Sequence, residues 1–583
     1  MNSLSVSEKN WIPKEFSSEE IEFFKTNYFL DEIVAKLLSI RKIKKEEIKF
    51  FLNPSIKNIL PNPYILKDMD TAIERTEKSI ISKKKIGIFG DYDVDGATST
   101  AILGKYFELL GVPFEFYIPD RKTEGFGPNE KAFTEFINLG VDLIFTVDCG
   151  TLSFEPINFA KKNNIDVIIL DHHQSEIKLP AAHSIVNPNR FDDRSELNYL
   201  CAAGVCFMFL IALNKRLRDQ NWFSQNSIIE PNLMNILDLV SLGTVCDVVP
   251  LVGLNRAIVH QGLKILKRKN NLGLKTLIEV CNIESTITPY HLGYVLGPRI
   301  NAGGRVGKST HGANLLLNKS PKNAFMLAAD LNNYNKERQI LEYELLNKIL
   351  NTDYKNNLDP VIILHGENWH EGIIGIIAAR VKEKFNKPAI IISSTNGVGK
   401  GSGRSIHGFD IGSTIIGAVQ NNLLEKGGGH KMAAGFTINM NKISDFKEFV
   451  FRKFRSVNMN LEEKKNYYFD SEIAPSAVNL EFFEKINSLA PFGSGNPEPR
   501  FVIKDVKILN SKIVGEKHIK TILLGSDATT LKAISFNTVE TVLGSYLLKK
   551  NIKQFNIVGK LSLNEWRGQK NVEFIIDDIS VIK

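Results

Sequence analysis

Nothing in this sequence supplies a covalent or membrane scaffold. The cysteines number only five, an odd count, and Cys149, Cys201, Cys206, Cys246 and Cys281 form no Cys-x-x-Cys pair. That excludes a disulfide framework and a thiolate zinc knuckle, and it suits a reducing cytoplasm. Long apolar runs are missing too. The longest, residues 205–213, falls well short of the ~20 residues that span a bilayer, and residues 1–10 hold no apolar core of signal-peptide type. The expectation is a cytoplasmic protein with no membrane partner. A strong excess of one charge is also absent: 73 basic against 65 acidic residues leave +8 over 583 residues, which permits a polyanionic partner without demanding one. With 43% hydrophobic and 24% charged residues the chain has the composition of an ordinary globular protein, and its length implies about three or four domains.

What is present is concentrated in Phe89-Gly90-Asp91-Tyr92-Asp93-Val94-Asp95-Gly96. An apolar run, Lys85-Ile86-Gly87-Ile88-Phe89, reads as a buried strand before it, and Ala97-Thr98-Ser99-Thr100-Ala101-Ile102-Leu103 reads as a helix after it. Three carboxylates thus stand at a strand's carboxyl end, where ligands bind in an open α/β sheet. Packed together they repel unless a cation neutralises them. The spacing imitates a calcium loop, but the position that needs a bidentate Glu is Ile102, and a strand precedes the loop. A solvated acidic turn is the ordinary alternative, and it predicts no matching acids elsewhere.

Matching acids do occur. The apolar run 143–147 ends in Asp148-Cys149-Gly150, and the run 167–170 ends in Asp171-His172-His173. Strands alternating with helices argue for a parallel sheet, so three strands deliver acids or imidazoles to one edge. Helical residues 233–242 lead to Asp247, a lone acid in an apolar stretch, which as a single residue would more often cap a helix. Before this region, residues up to about 82 read as helical and broken by Pro54, Pro61 and Pro63, a lid or brace for the next domain. After it, Arg299 and Arg305 bracket a glycine-rich turn whose exposed N–H groups and guanidiniums suit phosphate. The run Ala302 to Ser309 nearly spells a P-loop, but Pro298 argues against the strand a P-loop requires. Residues 324–350 read as one connecting helix.

A second lobe opens with an expected strand at 360–364, then Trp369-His370-Glu371-Gly372, a helix over 373–385 and a strand at 389–392. Two glycine-rich stretches follow, Gly399-Lys400-Gly401-Ser402-Gly403-Arg404-Ser405 and Gly427-Gly428-Gly429-His430. Either suits a backbone approaching a phosphate, with Ser402 and Arg404 donating, and either would also suit a flexible hairpin. From about Tyr467 five short strands, at 501–509, 518–524, 531–536, 555–563 and 572–579, suit an OB-type barrel. Phe492, Phe536 and Trp566 are candidates for base stacking, with core packing the ordinary use, and Lys517, Lys520, Arg567 and Lys570 add charge.

This motif series, in this order, resembles the DHH phosphoesterase superfamily. Within it, Gly297-Pro298-Arg299-Ile300-Asn301-Ala302-Gly303-Gly304-Arg305, Trp369-His370-Glu371-Gly372 and Gly427-Gly428-Gly429-His430 resemble the RecJ single-strand-specific exonucleases. Gly303-Gly304 stands where members of that family commonly carry two alanines or a mixture, a departure expected to alter loop packing more than chemistry. The resemblance implies an α/β fold with the following parts: a helical segment 1–82, a parallel-sheet DHH domain 83–322, a connecting helix 323–352, a smaller α/β DHHA1 domain 353–460 and an OB-type β-barrel 461–583. It implies two divalent ions, Mn²⁺ or Mg²⁺, held by Asp93, Asp95, Asp148, His172 and Asp247, with Asp148 bridging. Asp91 is a further ligand or orienting acid, His173 the group beside the scissile phosphate, and Asp171 the acid that orients the imidazoles. Arg121, with Ser402 and Arg404, would grip a 5′ phosphate; a surface salt bridge is the ordinary role of a lone Arg. Arg299, Arg305, His370 and His430 are further phosphate or strand contacts, although a histidine in a glycine-rich loop is usually structural. The implied activity is 5′→3′ hydrolysis of single-stranded DNA in repair and recombination. The implied partners are the strand itself and a single-strand-binding protein, with the chain a monomer. Two other functions stay open: a compact-substrate oligonucleotide or nucleotide phosphoesterase, against which the barrel counts, and an inactive strand-binding replication factor, against which the full ligand set counts. Single-stranded RNA also stays open as substrate.

Overall fold

A computed structural model describes residues 5–121, 123–350, 359–457, 466–549, 554–566 and 569–582, the side chain of Trp566 excepted. The stacking and charge expected of Trp566 and Arg567 therefore lie outside the described residues. The apolar runs of the first lobe form an all-parallel sheet in the order Phe114–Tyr117, Lys85–Gly90, Val141–Val147, Asp166–Leu170, Ser184–Val186. Strand order reverses at Lys85–Gly90, so the crevice at its carboxyl end is a topological switch point. The runs are continuous because both faces are buried. Ile86, Ile88, Leu143, Phe145, Ile168 and Leu170 enter one core, and Phe89, Ile144, Val167 and Ile169 enter the other.

Two glycine-rich stretches adopt regular structure where a turn or loop is expected from sequence. Residues 297–305 lie in an α-helix, Gly297–Val306, that continues a π-helical turn, His291–Leu296. The glycines serve close packing there: a Cβ on Gly304 would fall 2.9 Å from the Tyr92 carbonyl oxygen, and one on Gly303 2.9 Å from that of Lys308. Helical N–H groups beyond the first turn are bonded internally, so no phosphate-holding turn exists at this place. Likewise Val398–Arg404 is the middle strand of the second sheet, ordered Lys426–His430, Ala433–Asn439, Val398–Arg404, Ala389–Thr395, Ile362–Glu367, with only the last pair parallel. A Cβ on Gly401 would meet the Phe436 ring at 2.1 Å and one on Gly403 would meet Ile411 at 2.4 Å. The room these glycines leave is filled by neighbouring side chains.

The helix Pro321–Leu350 joins the lobes: Ala324, Ala328 and Leu331 belong to the first lobe's core, Leu345 and Ile349 to a core with Ile362, Leu364 and Ile377. The carboxyl-terminal strands Phe501–Val514, His518–Leu524, Thr530–Ser535, Gln569–Val581 and Phe555–Trp566 pair in that order, and the last closes on the first. The result is the expected five-stranded barrel; Phe492 packs against its core. The amino-terminal segment divides between two bodies. Residues from Ile56 to Ile80 pack into the first lobe, whereas Phe24, Val34, Leu37, Leu38, Ile48 and Phe51 share a core with Phe501, Ile519 and Phe574 of the barrel. A strand Asn10–Pro13 also pairs in parallel with Asn466–Phe469, so the front of the chain braces its far end as well as touching, through Phe51, the domain that follows it.

Candidate metal centre

The helix Val94–Leu109 begins where Asp93 folds back to cap it, its Oδ1 accepting from the N–H groups of Asp95 and Gly96 at 2.8 and 3.1 Å. Gly96 is obligatory, since a Cβ would stand 2.4 Å from the Asp91 carbonyl oxygen. Asp95 is turned inward and held by another helix, Ala202–Asp219, whose first two N–H groups donate to its Oδ2 and Oδ1 at 2.6 and 3.0 Å. Asp148 follows its strand in the left-handed region at φ 61°, a costly conformation for a non-glycine residue that directs its carboxylate into the crevice. Asp247 ends the helix Leu237–Cys246. Gly243, one turn earlier, leaves room for the cluster: a Cβ there would lie 2.7 Å from Asp95 Oδ1.

The acids and imidazoles of distant segments meet. His172 Nε2 lies 3.3 Å from Asp148 Oδ1, 3.6 Å from Asp247 Oδ2 and 3.9 Å from Asp95 Oδ2. Ligand atoms of Asp91, Asp93 and Asp148 lie within 4.8 Å of one another, and so do those of Asp95, His172 and Asp247. A third set, Asp148, His172 and His173, shares Asp148 with the first and His172 with the second and so joins them into one cluster. Two carboxylates at ~4 Å repel by roughly 4 kcal/mol at an effective dielectric of ~20. Burial, and then that repulsion, hold Asp91 and Asp148 well above the usual carboxylate range and push Asp95 up to about 7 and Asp247 to about 9. Burial and the neighbouring His173 take His172 down to about 4, which leaves its imidazole neutral. Its Nε2 and Asp91 Oδ1 are buried without a hydrogen-bond partner among the described residues. Carboxylate oxygens with one neutral imidazole fit Mn²⁺ or Mg²⁺, and cations here would relieve both the repulsion and the orphaned atoms.

Asp171 stands behind this set. Its Oδ2 accepts from Thr151 N and Oγ1, and its Oδ1 accepts from the N–H groups of His172 and His173 and sits 2.8 Å from His173 Nδ1. Burial alone would lower the His173 imidazole, but the Asp171 carboxylate outweighs it and raises His173 to about 9. Sequence reasoning missed the support on the other side: Asn187 donates to Thr151 Oγ1 and the His173 carbonyl, and Asn189 donates to the His172 carbonyl. Both asparagines follow the short strand Ser184–Val186 at the same sheet edge, the signal that marked the acids.

The basic residues fall into two groups. Arg121 lies over the Tyr92 ring at 5.1 Å, and Tyr92, Phe126 and His173 form a chain of edge-on ring contacts at 6.5 and 5.8 Å. Arg305 donates to the Gly372 carbonyl of the second lobe; burial, then the nearby Arg121, Arg338 and Arg404, lower it to about 10. Arg404 donates to Ser402 Oγ and the Gly403 carbonyl, and Gly375 allows the helix Glu371–Phe385 to approach both, since a Cβ would lie 3.0 Å from Ser402 Oγ and 3.1 Å from Arg404 Nη2. His430 is near enough to Arg404 and His173 to feel their charge. Arg299 is directed elsewhere, donating to Asn332 of the connecting helix and to the Val295 carbonyl. His370 caps the helix Glu371–Phe385, its Nδ1 accepting from Gly372 N.

Known proteins share this architecture. Family models match residues 85–244 (DHH family, N-terminal domain), 358–456 (DHHA1 domain) and 469–578 (RecJ OB domain). The single-stranded-DNA-specific exonuclease RecJ of Escherichia coli K12 is 34% identical over 544 residues, covering 91% of this chain and 92% of that one. The Bacillus subtilis protein of the same name is 30% identical over 590 residues, 99% of this chain and 71% of that one. The crystal structure of Thermus thermophilus RecJ in complex with Mn²⁺ superposes with a TM-score of 0.81 at 26% identity, covering 98% of this chain and 80% of that one. Identity at this level across nearly the whole length means that the chain belongs to the RecJ family of single-stranded-DNA-specific exonucleases.

Proposed function

We propose that this chain hydrolyses the phosphodiester bonds of single-stranded DNA from the 5′ end, by a two-metal mechanism, in DNA repair and recombination. The observation that carries the reading is the cluster of three linked sets, Asp91-Asp93-Asp148, Asp148-His172-His173 and Asp95-His172-Asp247, with His172 Nε2 neutral and orphaned, and Arg121, itself beside Arg305 and Arg404, near enough to act on Asp91. Asp93, Asp95, Asp148, His172 and Asp247 hold the ions, with Asp91 beside them. Bound divalent ions supply an activated water and neutralise charge in an in-line displacement. The chain's own groups do the rest. With Nδ1 committed to Asp171, the protonated His173 has Nε2 left to donate to a non-bridging or leaving oxygen. Arg121, Arg305, Ser402 and Arg404 receive the terminal phosphate, with His430 at the rim. Separate cores under the three larger sheets support lobes at 83–322, 353–460 and 461–583 with 323–352 as the connector, the first core also taking in residues 56–80 and the barrel's core residues 24–51. The front of 1–82 works with the barrel. No helix among the described residues is long and apolar enough to cross a membrane, and the five cysteines are free, as a cytoplasmic enzyme requires.

The test is incubation of end-labelled single- and double-stranded DNA and RNA with Mn²⁺ or Mg²⁺. Wild-type protein is expected to shorten single-stranded DNA from its 5′ end, and Asp148→Ala to lose this activity by at least 10³-fold, roughly the cost of removing a group that organises the reacting charge. Undiminished digestion by Asp148→Ala overturns the metal assignment. Preference for dinucleotides over long strands would favour the small-substrate alternative.

A further inference from the structure

The helix Glu371–Phe385 backs the strand that carries Ser402 and Arg404, with Gly375 against both side chains. It is tied to the rest of the molecule at two places. At its start Arg305 donates to the Gly372 carbonyl at 3.1 Å, and the backbones come so close that a Cβ on Gly372 would stand 2.3 Å from the Arg305 carbonyl oxygen. Roughly 12 Å farther along the axis, Arg380 Nε donates to Oε1 of Glu342, on the connecting helix, at 3.1 Å. The other oxygen of Glu342 accepts from Arg338 Nη1 at 2.8 Å, and Arg338 also donates to the buried Asn335 through Nε and Nη2. One contact lets a helix pivot about it, whereas two fix its direction. An isolated surface ion pair would be too weak for this. Here Glu342 and Arg338 each keep only 13% of the side chain exposed, and one carboxylate serves two guanidiniums. Charge makes that carboxylate necessary, because Arg338 feels both Arg380 and Arg299, and Arg305 feels Arg338. Without Glu342 the two helices would bring like charges together.

We propose that Glu342 is a positioning residue: it clamps the helix Glu371–Phe385 so that Ser402 and Arg404 receive the terminal phosphate in register with the metal centre. The inference rests on the nuclease reading above and on its phosphate grip. The connecting helix enters the metal-bearing lobe's core through Ala324, Ala328 and Leu331, so Glu342 stands on an element anchored in one lobe and holds an element of the other. Grip and metals therefore align only as well as this joint is fixed. A misplacement of ~1 Å between a held group and the reacting atoms can cost up to ~100-fold in rate, so a small change of helix direction suffices to be seen.

The experiment uses the full chain with Mn²⁺ and a 3′-labelled oligo(dT) bearing either a 5′ phosphate or a 5′ hydroxyl, with kcat and KM read from the initial loss of the full-length strand. Glu342→Ala is expected to lower kcat on the phosphorylated strand by about 10-fold with KM nearly unchanged, and to leave kcat on the hydroxyl strand within about two-fold of wild type, because that strand makes no use of the grip. Arg380→Ala, at a half-exposed position that tolerates substitution, should act in the same direction but less, since it leaves no like charges facing each other. The double variant should match Arg380→Ala alone, a coupling that independent sites would not show. An equal fall on both strands overturns the clamp, as does a lowered melting temperature with the preference for phosphate intact, because Glu342 is then a structural ion pair only. Failure of the underlying reading is distinct and shows in the wild type: a protein that shortens neither strand is no nuclease, and one indifferent to the phosphate has no grip to align.

Discussion

Asp171 contributes to the centre through the residues it holds. Both of its oxygens are occupied by donors from Thr151, His172 and His173. Burial pushes its carboxyl up, but His173 outweighs that and keeps it well below the usual range. Asp171→Asn replaces one acceptor by a donor facing His173 Nδ1, so kcat should fall by about 10- to 100-fold, while Mn²⁺ affinity measured by calorimetry changes far less. An equal loss of both would make Asp171 a ligand. Asp238 is a buried acid the chemistry does not use. Burial lifts it to about 6, with Lys105 acting in the other direction. A raised carboxyl lets the folded state keep its proton longer than the unfolded chain does. Its favourable contribution is therefore complete below pH ~4 and is lost as pH rises through 6. Asp238→Asn should accordingly be more stable than wild type at pH 8 by about 3 kcal/mol, with the difference gone at pH 4, as read from urea midpoints. At this scale the sequence was most informative about acids at strand ends, since a carboxylate after an apolar run has few other uses. Asn187 and Asn189 escaped because an amide carries no charge that demands a partner, and Ser184–Val186 is too short to read as a strand.

Elements position the site through close backbone approach, and glycine marks where that occurs. At Gly96 the helix Val94–Leu109 passes so near the Asp91 backbone that any Cβ collides with N, C and O together, at 2.4–2.7 Å. Backbone cannot rotate away as a side chain can, so Gly96→Ala should displace the whole acidic loop. The expected cost is at least ~2 kcal/mol, typical of overpacking, together with loss of Mn²⁺ binding. Gly428→Ala, where a Cβ meets nothing within 4 Å, is the control that should behave as wild type in both measurements. The same property explains what was illegible among elements. Gly303 and Gly304 lie within a helix and Gly401 and Gly403 within a central strand, yet locally each stretch has the composition of a loop. Tertiary neighbours, Tyr92 and Phe436 among them, create the need for glycine there, and no local window contains them. Apolar runs such as 143–147 were legible because a strand buried on both faces needs no partner to declare itself.

At the scale of the whole molecule, the lobe with the metal centre, the barrel and the front of the chain are tied by one side chain. Arg256, on the helix Gly253–Leu266, is 2% exposed. Its guanidinium donates to the carbonyls of Phe51, Leu489, Ala490 and Pro491 and lies 3.9 Å from the centre of the Phe51 ring. Arg41 and Asn496 continue the network, and Leu251 N donates to the Ser494 carbonyl only a few residues past Asp247. No period or motif could announce this, because Phe51, Arg256 and Leu489 are each more than 200 residues apart in sequence. Removing the guanidinium leaves buried carbonyls unsatisfied, at about 1–3 kcal/mol for each that water cannot reach. Because these carbonyls belong to different bodies, the loss should fall on their coupling. Arg256→Ala should split a shared calorimetric transition into two, with the one assigned to the barrel and the amino-terminal helices moving down and the parallel-sheet lobe melting near its original temperature. If Arg256→Ala melts as one unit with both lobes lowered together, the bodies are joined by their apolar surfaces and the arginine is an ordinary core residue.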